Sequence, residues 1–179
     1  MLTERNLNTY ISYKKKVLSM PYNYPNNYYL IRHFIKFTLL LSLFSFSNYA
    51  ISEDKAYQLY KAAENGDIET VEQLISEGVS VNAKNKSGSY ALNAAAYKND
   101  HKLIELLLKH GADVDSRNRG LDTPLICTTK YSNGNENTIM MLLEAGSDVN
   151  AVDEDGNTAL HYAKKKNQKA AVEILEASN

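Results

Sequence analysis

The residue types that most often carry out catalysis or bind metals are few in this chain and poorly spaced for either role. Cys127 is the single cysteine, so neither an intrachain disulfide nor a cysteine metal cluster can form. His101 and His110 lie nine residues apart, whereas a histidine metal pair on one helix needs a spacing of about four. The segment Asp153–Gly156 lacks the alternating oxygen ligands and the terminal Glu of a calcium loop. The sequence therefore predicts no enzymatic activity, no metal site and no cofactor.

The strongest pattern in the chain is a repeat. Leucine recurs at intervals of 33, 33 and 35 residues, at Leu59, Leu92, Leu125 and Leu160. A glycine follows the first three leucines after 19, 19 and 21 residues, at Gly78, Gly111 and Gly146. A period near 33 residues is typical of a helix-loop-helix unit, which buries its apolar face only by stacking on copies of itself. Such a solenoid offers an extended surface and rarely a convergent polar cleft.

The first helix of each unit has recognisable start and end residues. In the third unit Thr123 is a suitable N-cap, and Pro124 fits the first helical position, where the backbone N–H is orphaned anyway. Each first helix is predicted to end at a residue that tolerates a left-handed backbone. These residues are Gly66, Asn99, Gly134 and Asn167.

The second helix of each unit carries apolar residues at helical spacing, which predicts one stripe facing the stack. Its members are Val71, Leu74, Ile75, Ile104, Leu107, Leu108, Ile139, Leu142, Leu143, Val172 and Leu175. Each such side chain, when fully buried, stabilises the fold by roughly 1.5–3 kcal/mol.

Segments in the last two units resemble the ankyrin repeat: residues 111–115, 146–151 and 155–163 match its pattern. The resemblance covers about residues 53–179. It departs from the family in the third unit, where the usual glycine is displaced to Gly120 and Leu121 stands in its place. It implies an all-α solenoid of four helix-loop-helix units with finger loops. The units are predicted at about 53–83, 84–116, 117–151 and 152–179.

The resemblance also implies what the domain does and which residues are structural. Ankyrin repeats bind other proteins and are not catalytic, so we expect a monomeric protein-binding module that is not an enzyme. His161 occupies the position at which the family uses histidine to hydrogen-bond the neighbouring finger. Cys127 aligns with Ala94 and Tyr162, which predicts a small core residue.

Residues 1–50 form a separate leader, with a repeat domain at 51–179. Arg32 and Lys36 precede a largely apolar run at 37–46, and Ala50 follows it. A positive segment, a short apolar core and a small residue are typical of a secretory signal peptide. Ten residues are too few to span hydrocarbon, which needs about 20. The sequence therefore predicts a secreted or periplasmic protein.

Two features of the leader leave alternatives open. The segment before the apolar run is long, although initiation at Met20 instead of Met1 gives an ordinary length, and cleavage after Ser47 competes with cleavage after Ala50. An uncleaved anchor from about Leu30 to Ile51 is the competing structure, and its basic residues would snorkel to the membrane surface. In that case alone the protein contacts a membrane.

Charge separates the same two parts. The leader has six basic residues and one acidic residue, a net of +5, so the whole-chain net of −1 leaves −6 for residues 51–179. An acidic domain is not expected to bind nucleic acid, which requires neutralisation of phosphates.

The ankyrin resemblance implies that the finger tips and the ends of the first helices face the partner. In the two central units these positions are mainly basic and aromatic, and they are Lys86, Tyr97, Lys98, Arg117, Arg119, Lys130 and Tyr131. Aromatic and Arg residues with charge of one sign suit a protein partner with an acidic surface. The alternative interpretation is a merely solvated face.

Two functions follow from these patterns. The richness in Asn, Lys, Ile and Tyr is typical of an AT-rich genome, such as that of a bacterium living inside host cells. Our first hypothesis is therefore an exported binding protein directed at a host protein. The second is a periplasmic or membrane-anchored scaffold for a resident envelope protein.

Overall fold

The computed structural model describes residues 54–179; the predicted signal segment at 37–46, its cleavage sites and the alternative anchor all lie outside the described residues. The described part contains eight α-helices and no β-strand. They are α1 (54–65), α2 (Ile68–Ser76), α3 (Ala91–Lys98), α4 (His101–Lys109), α5 (Pro124–Lys130), α6 (Glu136–Glu144), α7 (Ala159–Lys165) and α8 (Lys169–Ala177). The predicted all-α class is confirmed.

The helices pair into four units that stack in two layers. In the last three units the first helix packs on its own second helix: α3 on α4, α5 on α6 and α7 on α8. The first helices also pack on one another along one layer, and α4, α6 and α8 form the second layer. The fingers connect one pair to the next. This arrangement is the predicted helix-loop-helix solenoid.

Polar side chains start most of the helices. The Asp67, Asp100 and Asn135 side chains cap α2, α4 and α6 by accepting from backbone N–H groups at 3.0–3.1 Å. Thr123 accepts from the Ile126 N–H at 3.3 Å, and Pro124 occupies the first turn of α5. The predicted start of α5 is therefore confirmed: the Thr123 hydroxyl caps one backbone N–H of the first turn, and Pro124 has no N–H to leave unpaired.

The predicted left-handed residues all have positive φ. Gly66, Asn99, Gly134 and Asn167 have φ values of 73°, 55°, 64° and 57°. Each of them lies between a first helix and a second helix, and glycine and asparagine adopt this backbone most cheaply. The predicted helix end at Gly134 is wrong, because α5 ends at Lys130 and Gly134 lies in the longer turn that follows it. Of the described non-glycine residues with positive φ, Leu121, at φ 59°, is the one that is not asparagine.

The core is a continuous cluster that runs through all four units. Its largest members on the second helices, Leu74, Leu107, Leu142 and Leu175, are buried as the stripe predicts. Ile75, Leu108, Leu143 and Val172 lie at the edge of the same cluster and are partly buried. The units therefore share one core, and none of them buries its apolar face alone.

A polar ladder aligns the fingers. Asn82 in the first finger donates to the Gly111 carbonyl at 2.9 Å and accepts from the Asp113 N–H at 2.8 Å. Asp115, at the equivalent place in the second finger, accepts from the Ser147 hydroxyl at 2.9 Å and the Asp148 N–H at 3.0 Å. Each finger is thus fixed by the start of the next one, which holds the finger tips in a row.

Candidate functional site

A groove of about 330 Å³ lies where the first helices of the first three units face the finger tips. We call it the helix groove; among the residues that line it are Tyr60, Ser89, Asn93, Tyr97, Asn118 and Tyr131. Tyr97 and Tyr131, two of the predicted partner-binding residues, are 45% and 50% exposed. The predicted residue Lys98 is exposed beside them, with its ammonium 5.5 Å from the centre of the Tyr97 ring.

A second groove, of about 760 Å³, lies between the second and third finger tips. We call it the fingertip groove; among the residues that line it are Lys84, Lys86, Tyr90, Arg117, Arg119 and Leu121. Three of them, Lys86, Arg117 and Arg119, are predicted partner-binding residues. Arg117 donates to the Val152 carbonyl at 2.8 Å, and this bond fixes the guanidinium while its other N–H groups remain as donors.

The two grooves adjoin, because Asn118 lines both of them. The finger tips are also in close contact: a Cβ atom on Gly88 would lie 3.2 Å from that of Arg119. Five of the seven predicted residues therefore line the two adjoining grooves, and Lys98 lies beside Tyr97 but lines neither groove.

Lys130, the seventh predicted residue, lines neither groove. Its side chain is largely buried, which corrects the prediction that it faces a partner. Its side chain is only 16% exposed, and its ammonium donates to Asp122 at 2.9 Å and to Asp153 at 2.8 Å. The rings of Tyr131 and Tyr162 lie 5.3 Å and 5.1 Å from the same ammonium. The charge of Lys130 is thus neutralised inside the protein, so Lys130 joins the third unit to the fourth and does not present a charge to a partner.

The two carboxylates around Lys130 are almost completely buried, with side-chain exposures of 2% for Asp122 and 0% for Asp153. The Tyr131 hydroxyl donates to Asp122 at 3.1 Å, and the Tyr162 hydroxyl donates to Asp153 at 2.5 Å. We refer to these five residues as the Lys130 network. Every buried charge in it has an opposite charge and hydrogen bonds, which is the condition for a buried ion pair to be tolerated.

The network shifts the pKa values of Lys130 and Asp153 in opposite directions. Burial penalises the ammonium of Lys130, but its hydrogen bonds to Asp153 and Asp122 outweigh that penalty and raise the pKa of Lys130. Burial also opposes the charge on Asp153, yet the hydrogen bonds from Lys130, Tyr162 and the Asn157 backbone hold the pKa of that carboxyl well below its ordinary value. Both groups are therefore charged at neutral pH, and neither is poised to exchange a proton there.

Asn93 is a structural residue that sequence reasoning missed. It is buried, and its amide donates to the Asp122 carbonyl at 3.1 Å and the Ser116 carbonyl at 3.3 Å. The Ser116 hydroxyl donates in return to the side-chain oxygen Oδ1 of Asn93 at 3.1 Å. Asn93 follows Leu92 as His161 follows Leu160, so the equivalent position in the repeat was the available signal. The contact to a neighbouring finger that we expected of His161 is made here by Asn93, and His161 itself is exposed.

Cys127 lies at the base of the helix groove and is buried, in agreement with its predicted role in the core. Burial raises the pKa of its thiol to about 12, so the reactive thiolate is scarce at neutral pH. Within residues 54–179 no group of three His, Cys, Asp or Glu side chains is placed to hold a metal. In the same range, no helix has the length and apolar character needed to cross a membrane.

The fold defines the chain as a helix-loop-helix repeat solenoid. The family model for ankyrin repeats in three copies matches residues 59–153 and 116–178. The chain belongs to the ankyrin-repeat family. Ankyrin repeats are protein–protein interaction modules and are typically not catalytic, which agrees with the predictions from the resemblance.

Proposed function

We propose that the chain is an exported protein that binds an acidic protein partner through the helix groove and the fingertip groove. One observation carries the proposal: exposed tyrosine and arginine side chains converge on two grooves that share Asn118. Tyrosine and arginine, with tryptophan, are enriched among the interface residues that dominate binding energy. The buried residues of the second-helix stripe, such as Leu107 and Leu142, are committed to the shared core.

The distribution of charge supports an acidic partner. The fingertip groove has four basic residues and two acidic ones, Asp113 and Asp115. The Asp115 carboxylate is already bonded to the next finger. In contrast, the exposed side of the second helices carries Glu69, Glu72, Glu105, Glu144 and Glu173. A domain with a net charge of −6 thus keeps a basic surface at its central finger tips, which favours association with a surface of opposite charge.

Export is the second part of the proposal, and it rests on the sequence of the leader. The basic residues before 37–46 and the short apolar run are the features of a signal peptide. Fractionation of cells that express the full chain tests it: a product shortened near residue 50 and found outside the cytoplasm is expected. A full-length product that stays in the membrane fraction would favour the anchored scaffold instead.

The binding surface is tested by two variants in the full-length chain, used for affinity capture. Tyr97→Ala and Arg119→Ala are each expected to weaken capture about fivefold or more at unchanged melting temperature. The arginine variant should also reduce the salt dependence of association, because it removes a charge from the interface. Glu72→Lys and Glu105→Lys, on the opposite side, are the matched controls. Capture that survives the first pair and is lost with the second would show that the acidic second helices bind the partner.

A further inference from the structure

Leu121 adopts a backbone conformation that its neighbours in the repeat reserve for glycine. Gly88 and Gly156 occupy the equivalent turns with φ values of 79° and 77°, and Leu121 has φ 59°. The turns are the same, since the N–H of each residue donates to the carbonyl three residues earlier at 2.8–3.1 Å. A side chain with a Cβ atom is strained in this region. The neighbouring residue Gly120, which does not need positive φ, is the glycine of this turn.

The strain is maintained by other groups, not by the leucine side chain. The side-chain oxygen Oδ1 of Asn118 accepts from the backbone N–H groups of Gly120 and Asp122, both at 2.9 Å. The Asn118 amide also donates to the Asp122 carboxylate at 3.0 Å. These bonds fix the turn whatever residue stands at position 121, so a glycine there would satisfy the fold with less strain. The leucine therefore has no evident local structural role.

The side chain of Leu121 is 44% exposed, which makes it one of the exposed large apolar residues of the described chain. It lies in the fingertip groove beside Lys84, Arg117 and Arg119. The ring of Tyr90 lines the same groove, with the Lys84 ammonium 5.5 Å from its centre. Leu121 is thus an exposed apolar side chain at a strained backbone position, in a groove lined by four basic and two acidic residues. Such strain is a feature of binding sites, because it persists where it serves function.

We propose that Leu121 is the apolar anchor of the fingertip groove and that the groove takes a segment of the partner that combines carboxylates with one aliphatic or aromatic side chain. The carboxylates pair with Lys84, Arg117 and Arg119, and the apolar side chain packs on Leu121 and Tyr90. This proposal rests on the proposed function and specifies the chemistry of the partner segment.

The test uses a library of random twelve-residue peptides displayed on phage and selected on the full-length chain. Peptides that are enriched are then measured against three variants, Leu121→Gly, Leu121→Ala and Leu121→Met. The Gly and Ala variants both remove the anchor, but only glycine relieves the strained backbone, so the pair separates binding from folding. Leu121→Met keeps an apolar side chain of similar volume and serves as the conservative control.

The proposal predicts enriched peptides that contain Asp or Glu together with an aliphatic or aromatic residue. Their affinity should fall about tenfold or more for both the Gly and Ala variants and less than threefold for the Met variant. The melting temperature of the Gly variant should exceed that of the Ala variant by about 2–4 °C. Equal peptide affinity for wild type and Leu121→Gly, or enrichment of basic peptides, would overturn the proposal.

The proposed function is tested separately by Tyr97→Ala and Arg119→Ala. If these two variants weaken binding while Leu121→Gly does not, the binding surface stands and the anchor is wrong. If none of the three weakens binding, both proposals fail.

Discussion

At the scale of single residues, Lys130 is the clearest case in which environment decides role. Its side chain belongs to a type that is usually exposed. Here Asp122 and Asp153 are buried on either side of it, and two tyrosine hydroxyls donate to them. The lysine therefore balances two carboxylates that the protein interior would otherwise not accept. Its position joins the third unit to the fourth, and so its contribution concerns stability.

Replacing Lys130 tests this role directly. Lys130→Met leaves two carboxylates buried without a cation, so the free energy of unfolding should fall by about 3–5 kcal/mol. Lys98→Met changes an exposed lysine at the end of the preceding first helix and should alter stability by no more than about 0.5 kcal/mol. Urea unfolding of the full-length variants measures both. Coincident midpoints for Lys130→Met and wild type would contradict the buried network.

Asp153 should make the stability of the domain depend on pH in the acid range. Its pKa in the folded protein is below the ordinary value of 3.8, so the ionised form favours folding. This contribution is complete well above the ordinary pKa and is lost as the pH falls below it toward the folded pKa. Melting temperatures from about pH 7 to about pH 2 should therefore fall more steeply for wild type than for Asp153→Asn. Parallel profiles would show that the carboxylate is not stabilised by folding.

At the scale of elements, the turn between the two helices of the third unit has a closer neighbour than the equivalent turns. A Cβ atom on Gly134 would lie 2.4 Å from the amide oxygen of Gln168, the residue before α8. The amide nitrogen of Gln168 is itself held by the carbonyls of Thr129 and Ser132, at 3.1 Å and 3.2 Å. Position 134 thus requires glycine for two reasons: its backbone has positive φ, and Gln168 leaves no room for a Cβ atom.

Gly134→Ala should therefore destabilise the fold more than a glycine replacement in open space. Gly78 has φ 84° and no atom within 4 Å of a Cβ position, so Gly78→Ala measures the backbone strain alone. We expect a loss of about 1–2 kcal/mol for Gly78→Ala and a further 1–2 kcal/mol or so for Gly134→Ala. Thermal melts of both variants provide the comparison. Equal losses would mean that Gln168 moves away without consequence.

The elements were predictable because their signals are local or periodic. The repeat of leucine and glycine indicated the helix pairs, and Gly66, Asn99 and Asn167 lie within two residues of the ends of the first helices, as predicted. Gly134 has the predicted left-handed backbone but does not end its helix, because α5 ends at Lys130. Local chemistry decides these features, because left-handed backbone, caps and apolar stripes depend on residues close in sequence.

The environment of Lys130 was not predictable in the same way. The equivalent residues in the other units are Glu64, Tyr97 and Lys165, and Tyr97 and Lys165 are exposed. Nothing in the repeat therefore distinguished position 130 from a surface site. Its partners Asp122 and Asp153 come from the finger tips of two different units, and their approach depends on the stacking of those units. The sequence pattern of a single unit therefore does not show that Asp122 and Asp153 both lie next to Lys130.

At the scale of the whole molecule, the described units form one row of finger tips over one layer of first helices. The shared core commits the buried faces to stacking, and the Asn82 and Asp115 ladder fixes the tips relative to one another. What remains available to a partner is the continuous surface of the two grooves. Binding through a surface already fixed in position avoids part of the entropy that a flexible loop would lose.

Hydrogen exchange of the full-length chain, free and bound to its captured partner, tests this central claim most directly. The two finger tips at 84–90 and 117–123 lie at the surface, where local opening costs less free energy than in the core helices, so their hydrogen-bonded amides exchange sooner when the chain is free. We predict that bound partner slows exchange most strongly in these two segments, which lie side by side in the fold although they are far apart in sequence. Slower exchange confined to the second helices, such as His101–Lys109, with no change at the two tips, would contradict the account.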